Sequence, residues 1–234
     1  MNIAVIPARG GSRRIPRKNI RNFCGKPMIA HAIDNALRSK HIQRVVVSTD
    51  DEEIATIAIE YGADVPFMRP AALADDYTGT APVVRHAISM LLQDGWTLDK
   101  CACIYATSPL LSSQLIDTCI EKLKESDDLK YVFTAARFSF PIQRALMQTD
   151  GGGVIPFDND AISKRSQDLE TTYHDAGELY CSHYSEWLNE KSRVFSEKSR
   201  MVVLPQHLVQ DIDTEADWQR AELLYKILEK ESTK

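Results

Sequence analysis

The sequence predicts an α/β fold: a mostly parallel sheet flanked by helices, with a protruding hairpin. Two observations give the class and a third gives the hairpin. Continuous apolar runs such as Ile3-Ala4-Val5-Ile6 and Val45-Val46-Val47 are typical of strands covered on both faces. These runs alternate with segments whose apolar residues recur at i, i+3, i+4, and such β-α-β-α order implies a parallel sheet with helices on both sides. The alternation stops after Arg137: Phe138–Phe157 carries Pro141, Pro156 and Gly151-Gly152-Gly153, the composition of an irregular hairpin outside the main sheet.

The elements follow in order. Asn2–Pro7 is a strand, and Pro27 sits at the first position of a helix with Ile29, Ala32, Ile33, Ala36 and Leu37 on its buried face. Arg44–Thr49 is a strand. The carboxylates of Asp50 to Glu53 then cap and charge the start of a helix that buries Ile54, Ile57, Ala58 and Tyr61 and ends at Gly62; a catalytic Asp50 is the alternative. Asp64–Met68 reads as a short strand, followed by a loop from Arg69 to Thr80. Ala81–Gln93 is a helix burying Val84, Ala87, Ile88 and Leu91. Lys100–Ala106 is a strand, and Ser112 or Ser113 caps the helix carrying Ile116, Cys119, Ile120 and Leu123. Tyr131–Ala136, Gly177–Ser182 and Met201–Pro205 are strands, Arg165–Asp175 is polar and helix-poor, and Ser185–Asn189 belongs to a short helix. Thr214 caps a last helix with Trp218, Ala221, Leu224, Tyr225 and Leu228 as its stripe, and Lys230–Lys234 is expected to fray.

The 234 residues form one domain, 1–234, with 138–176 as a subdomain. A net charge of −5 argues against a nucleic-acid binder. No apolar run is long enough to cross a bilayer, and Met1 leads into a strand rather than a secretory leader. The five cysteines, Cys24, Cys101, Cys103, Cys119 and Cys181, contain no Cys-x-x-Cys, so they read as reduced and mostly buried. A cytoplasmic protein without membrane or nucleic-acid partners is expected.

The stretch Ala8–Asn19 carries the chemistry. It follows the first strand, and Gly10-Gly11 lets the backbone turn and a ligand approach closely. Arg9, Arg13, Arg14, Arg17 and Lys18 crowd the same loop. Like charges at that density repel unless an anion sits among them, and exposed N–H groups with Arg and Lys suit phosphate. The alternative is a basic surface turn. Neither the GxxxxGK[ST] nor the GxGxxG spacing is present.

Arg9-Gly10-Gly11-Ser12-Arg13-Arg14-Ile15-Pro16-Arg17-Lys18-Asn19 resembles the opening loop of sugar nucleotidyltransferases. More narrowly it is similar to the CMP-sialic acid synthetase family of cytidylyltransferases, most of all its pseudaminic acid branch. The resemblance runs nearly end to end and implies a nucleotide-diphospho-sugar transferase-like, Rossmann-like fold. It also implies a homodimer, in which a hairpin from one subunit reaches towards the partner's sugar pocket. Transfer of CMP from CTP to an acidic nine-carbon sugar is the implied reaction. Ala8, Arg9, Gly10, Gly11, Ser12, Arg13, Lys18 and Asn19 would hold the nucleotide, with Arg9 and Lys18 stabilising charge at the reacting phosphate. Arg69-Pro70-Ala71-Ala72-Leu73 resembles the family's segment near the cytosine, with Arg69 donating to the base, and Thr80 matches a hydroxyl on the nucleotide.

Tyr105-Ala106-Thr107-Ser108-Pro109 stands where the sialic acid enzymes have Gln-Pro-Thr-Ser-Pro, so Tyr105 replaces a glutamine that faces the sugar. Pseudaminic acid lacks the C9 hydroxyl of sialic acid and carries a second acylamino group, which suits a ring at that place. Gln143, Arg144, Arg165, Gln167 and His174 form a polar middle. Arg forks suit a carboxylate, and Gln and His suit hydroxyls and amides; a polar dimer surface is the alternative. In Gln210-Asp211-Ile212-Asp213-Thr214, alternation on extended backbone points Asp211 and Asp213 to one side. Such hard oxygens suit Mg²⁺ on a triphosphate, and the family has both aspartates on metal; a plain helix cap at Asp213 or Thr214 is the alternative. For a general base, only His174 or a metal-bound water suggests itself. Sialic acid, legionaminic acid and Kdo are the rival sugars, and a non-catalytic nucleotide-sugar sensor is the rival from another class.

Overall fold

The computed structural model describes residues 1–232. Strand β1 (Ile3–Pro7) leads into the basic loop, and two short strands, β2 (Asn22–Phe23) and β3 (Lys26–Pro27), close it as an antiparallel pair. Helix α1 (Met28–Leu37) follows, with Pro27 just outside it rather than at its first turn. Then come β4 (Arg44–Ser48), α2 (Glu52–Glu60), α3 (Thr80–Gln93), β5 (Lys100–Ile104), α4 (Ser113–Lys122) and β6 (Tyr131–Arg137). A detached hairpin, β7 (Leu146–Gln148) with β8 (Val154–Pro156), is followed by the long β9 (Tyr173–His183). Helix α5 (Tyr184–Leu188), β10 (Ser199–Leu204) and α6 (Glu215–Ser232) complete the chain.

The main sheet has the order β10-β6-β9-β5-β1-β4. β1 pairs in parallel with β4 and β5, and β10 with β6, whereas β9 runs antiparallel between β5 and β6. The expected class holds, with one reversed strand at its centre.

Side-chain alternation sorts the core into two layers. Ala4, Ile6, Val45, Val47, Ala102 and Ile104 face α1, α2 and α4. Ile3, Val5, Val46, Cys101 and Cys103 face α3 and α5. Cys101 and Cys103 thus share a packed face, as their spacing implied, and every cysteine is a free thiol. A third cluster, Ile15, Phe23, Met28, Ile212, Trp218 and Ala221, seats α6 against the basic loop.

Local chemistry explains the boundaries. Asp51 caps α2 by accepting from Ile54 N, and Gly62 takes a φ of 90° where the chain leaves it. Ser112, not Ser113, caps α4. Thr214 and Asp217 form a reciprocal cap at α6. Four expectations are corrected. Asp64–Met68 is not a strand: Asp64 alone bridges Val46, because Pro66 has no N–H with which to extend the ladder. Leu37 is exposed rather than part of the α1 face. Strand β9 begins at Tyr173, earlier than Gly177, because the bulge opposite Phe133 to Ala135 lets it resume pairing. Helix α6 runs unbroken to Ser232, so Lys230 and Glu231 are helical; the remaining expected frayed residues, 233 and 234, lie outside the described residues.

Candidate active site

The basic loop lies at the carboxyl end of β1, beside β4 and β5, where open α/β sheets bind ligands. Its shape is set by packing. Ile15 is buried against Ile212 and Trp218, and Asn19 donates to Arg9 O at 2.9 Å, clasping the loop across its width. Gly10 is required sterically: a Cβ there would sit 2.6 Å from Asp51 Oδ2, and its N–H donates to Asp50 Oδ1. A Cβ added at Gly11 would meet nothing within 4 Å, so the space beside it is open. The left-handed residue of the loop is Arg17, at φ 54°, held there by ion pairs to Asp51 and Glu53.

Each loop cation meets a protein carboxylate. Arg9 and Arg13 share Asp76, at 2.7 and 2.6 Å, and Arg9 also donates to Asp75 O. Arg14 pairs with Asp213 at 2.7 Å, and Lys18 lies 3.7 Å from the same carboxylate. The mutual repulsion of these cations is therefore answered inside the protein, which the sequence argument did not foresee. Asp76 was within reach of that argument: it stands in the Asp75-Asp76 pair after the Arg69 segment.

A cavity of about 260 Å³ opens over the loop. Arg9, Ser12, Arg13, Lys18 and Asn19 line it, joined by Arg69, Thr80 and Tyr105. Arg14 lines it too, whereas Arg17 is turned to Asp51 and Glu53. Ala8 is buried beneath, its N–H on Ser48 O. Arg69 is buried and donates twice to Ser48; burial pushes its guanidinium down to about 10, an effect the neighbouring Asp50 opposes and Arg9 reinforces. Thr80 Oγ1 and the Tyr105 hydroxyl lie 2.8 Å apart.

Asp211 and Asp213 flank the buried Ile212, as their alternation implied. The Asp213 carboxylate faces Arg14 and Lys18, and the cap of α6 is Thr214, so capping does not account for Asp213. Lys18 Nζ donates to Ile212 O at 2.6 Å, between the two aspartates. Burial pushes the Lys18 ammonium down, and Asp213 and Asp211 oppose it. Asp211 is held above the usual carboxylate range by burial and then by Asp213. Two carboxylates this close, one of them already disfavoured as an anion by burial and by its neighbour, fit a divalent cation. Among the described residues no cluster of three or more His, Cys, Asp or Glu could hold a metal, so phosphate oxygens and water would complete the shell.

The remaining sugar-pocket candidates lie elsewhere within one chain. Gln143 donates to Glu170 O, Arg144 to Ser166 Oγ and Arg165 to Asp168, all on the protruding segment. Gln167 lines a separate cleft beside Phe140. His174 lines a third, with His207 and Arg220, and its Nδ1 engages Asp175 O at 2.9 Å. Only Tyr105 of that set joins the cavity over the basic loop. Behind Thr80 and Tyr105 lies a second cavity of about 240 Å³, lined also by Asp175, Tyr180, Trp187 and Phe195. Sequence reasoning named Asp175 only as part of a polar stretch and passed over Tyr180 and Phe195.

An α/β sheet that ends in a glycine-bearing cationic loop, faced by a carboxylate pair, defines a nucleotidyltransferase. Residues 3–207 match the sequence model of the cytidylyltransferases. The chain belongs to the cytidylyltransferase family. It is 45% identical, over 97% of both chains, to the pseudaminic acid cytidylyltransferase of Campylobacter jejuni. It is 34% identical to the CMP-N,N'-diacetyllegionaminic acid synthase of Legionella pneumophila, over 96% of both. Among solved structures, a CMP:2-keto-3-deoxy-manno-octonic acid synthetase complexed with CTP shares the fold, with a TM-score of 0.69 at 18% identity over 97% of this chain and 99% of that one.

Proposed function

We propose that this chain transfers the CMP moiety of CTP to the anomeric hydroxyl of pseudaminic acid, releasing pyrophosphate. The observation that carries this is the 45% identity to a pseudaminic acid cytidylyltransferase over 97% of both chains. The arrangement at the carboxyl end of β1 supports it. The triphosphate lies over Gly11 and Ser12, displacing Asp76 from Arg9 and Arg13, and Arg69 meets the base. The sugar occupies the second cavity, with its anomeric hydroxyl at the junction formed by Thr80 and Tyr105.

The hydroxyl attacks the α-phosphorus in line with the departing pyrophosphate. An anionic sugar approaching a triphosphate faces repulsion of roughly 4 kcal/mol per charge pair at about 4 Å and an effective dielectric near 20. Lys18 and Arg9 offset that charge, and the rest of catalysis is positioning. Lys18 is preset for this by its bond to Ile212 O. Bound at Asp211 and Asp213, Mg²⁺ would neutralise and orient the phosphate oxygens.

A homodimer belongs to this reading. Phe140, Leu146, Val154 and Phe157 on the protruding segment are 60–82% exposed, an apolar surface that a second subunit would cover. The same segment carries Gln143, Arg144, Arg165 and Gln167 away from its own cavity, and in the dimer these approach the partner's sugar. The test is product analysis: incubation with CTP, Mg²⁺ and pseudaminic acid yields a CMP-sugar, identified by mass and by a single phosphodiester ³¹P resonance. Hydrolysis of CTP to CMP alone would refute the transfer.

A further inference from the structure

The reaction needs an acceptor for the proton of the attacking hydroxyl, and the wall between the two cavities contains one. Tyr105 and Thr80 line both cavities, and their hydroxyls lie 2.8 Å apart. The Tyr105 and Tyr180 rings pack with centroids 5.6 Å apart. Tyr180 OH donates to Asp175 Oδ2 at 2.5 Å. The other oxygen, Asp175 Oδ1, accepts from Gly177 N at 3.1 Å, in a turn that Gly177 permits at φ 66°. The carboxylate is thereby fixed with one oxygen on the phenol, and its exposed position lets it exchange protons with water.

We infer that Tyr180 and Asp175, which line the second cavity, form a proton relay that serves as the general base of the transfer, with Asp175 as terminal acceptor and Tyr105 with Thr80 positioning the hydroxyl. This rests on the reading above, which puts the anomeric hydroxyl at the junction beside Tyr105. As the sugar oxygen bonds to the α-phosphorus, its proton passes to the Tyr180 oxygen. The Tyr180 proton passes in the same step to Asp175 Oδ2. The bond from the α-phosphorus to the bridging oxygen breaks, and pyrophosphate leaves with that electron pair. The net change at the relay is one carboxylate converted to a carboxylic acid, which water then deprotonates. Both phenols remain phenols throughout, and burial pushes both of them above their ordinary range, so no tyrosinate accumulates.

The other titratable groups nearby do not fill this role. Glu178, on the same strand, lines neither cavity, and burial pushes it up to about 8, which favours its protonated form. His174 opens into a different cleft. Cys103 on β5, Tyr105 just past its end, Thr80 on α3, and Tyr180 and Glu178 on β9 are the ionisable or hydroxyl groups that bear on Asp175 and the relay.

The test measures kcat and KM across pH for the full-length protein with CTP, Mg²⁺ and pseudaminic acid, together with Asp175→Asn, Tyr180→Phe and Asp175→Glu. The relay predicts that Asp175→Asn and Tyr180→Phe each lower kcat by roughly 100-fold or more, the usual scale of general-base catalysis. The KM for CTP stays within about threefold, and the acid limb of the parent kcat profile is lost in Asp175→Asn. Asp175→Glu recovers part of the rate, and Asp175→Asn with Tyr180→Phe is no slower than either alone, because the residues act as a unit. CTP-induced thermal stabilisation of each variant confirms a folded nucleotide site. Parent-like kcat in Asp175→Asn and Tyr180→Phe, or a change confined to the KM for the sugar, would overturn the relay while leaving the transferase reading intact. A parent that releases no pyrophosphate with any nine-carbon acidic sugar overturns both.

Discussion

Lys18 shows how one residue is tuned by its surroundings. It is drawn under the loop, its Nζ on the Ile212 carbonyl and its charge facing Asp213. In the proposed mechanism this ammonium acts mainly in the transition state. Lys18→Ala is expected to lower kcat by roughly 100-fold or more with little change in melting temperature, in line with the loss of a preorganised electrostatic group. Turnover at the parental rate would remove Lys18 from the mechanism. Glu178 gives a second residue-scale prediction. Its Oε2 has no hydrogen-bond partner among the described residues, and burial, followed by Asp175, pushes the carboxyl from 4.5 to about 8. Between those values the folded state binds a proton that the unfolded chain has released, so stability falls as pH rises from about 4.5 to about 8. The slope is about 1.4 kcal/mol per pH unit for one such group. Glu178→Gln should flatten it, making the variant the more stable protein at pH 8 in chemical denaturation. An unchanged slope would show that Glu178 finds a partner when ionised. Glu178 was invisible in the sequence because nothing in a strand pattern reveals that a carboxylate is buried without a partner. Lys18's place at the cavity was legible because its cationic neighbours and Gly10-Gly11 mark the loop that lines it.

At the scale of elements, the site is a junction of two segments far apart in the chain. The loop after β1 and the strip before α6 are locked by Ile15, Ile212 and Trp218, and by Arg21 paired with Glu215 and lying 4.5 Å over the Trp218 ring. This brings Asp211 and Asp213 beside Lys18. Asp213→Asn is expected to cut activity by at least about tenfold and to raise the Mg²⁺ concentration needed for half-maximal rate, and EDTA should abolish activity in the parent. A variant whose rate and Mg²⁺ dependence match the parent would reduce Asp213 to an ion-pair partner of Arg14. The Asp-x-Asp spacing was readable because extended backbone alternates its side chains. The partners of the loop cations were less so, since Asp76, Asp51 and Asp213 reach them through tertiary contacts. The expected strand at Asp64–Met68 failed for a local reason: an apolar stretch at the sheet edge cannot extend its ladder past Pro66.

For the whole molecule, the alternation of apolar runs made the layered sheet legible from end to end. It could not reveal that β9 runs antiparallel, because direction depends on the path of the long excursion from Phe138 to Thr172 and not on the strand's own residues. The same excursion explains why Gln143, Arg144, Arg165 and Gln167 read as a sugar pocket and yet stand away from the chain's own cavity. If the segment packs on a second subunit, Phe140→Asp combined with Leu146→Asp should raise the dimer dissociation constant by roughly 100-fold or more, because large buried apolar side chains dominate such interfaces. Sedimentation velocity at graded concentrations would detect it, and a parent that stays monomeric at high concentration would contradict the dimer. The central claim concerns chemistry and is tested most directly by pyrophosphate release. Purified protein with CTP and Mg²⁺ is assayed against pseudaminic acid, N-acetylneuraminic acid and Kdo. The account predicts a kcat/KM for pseudaminic acid exceeding that for either rival by roughly 100-fold or more, the discrimination that several mismatched polar groups give together. Equal or faster release with N-acetylneuraminic acid would contradict it.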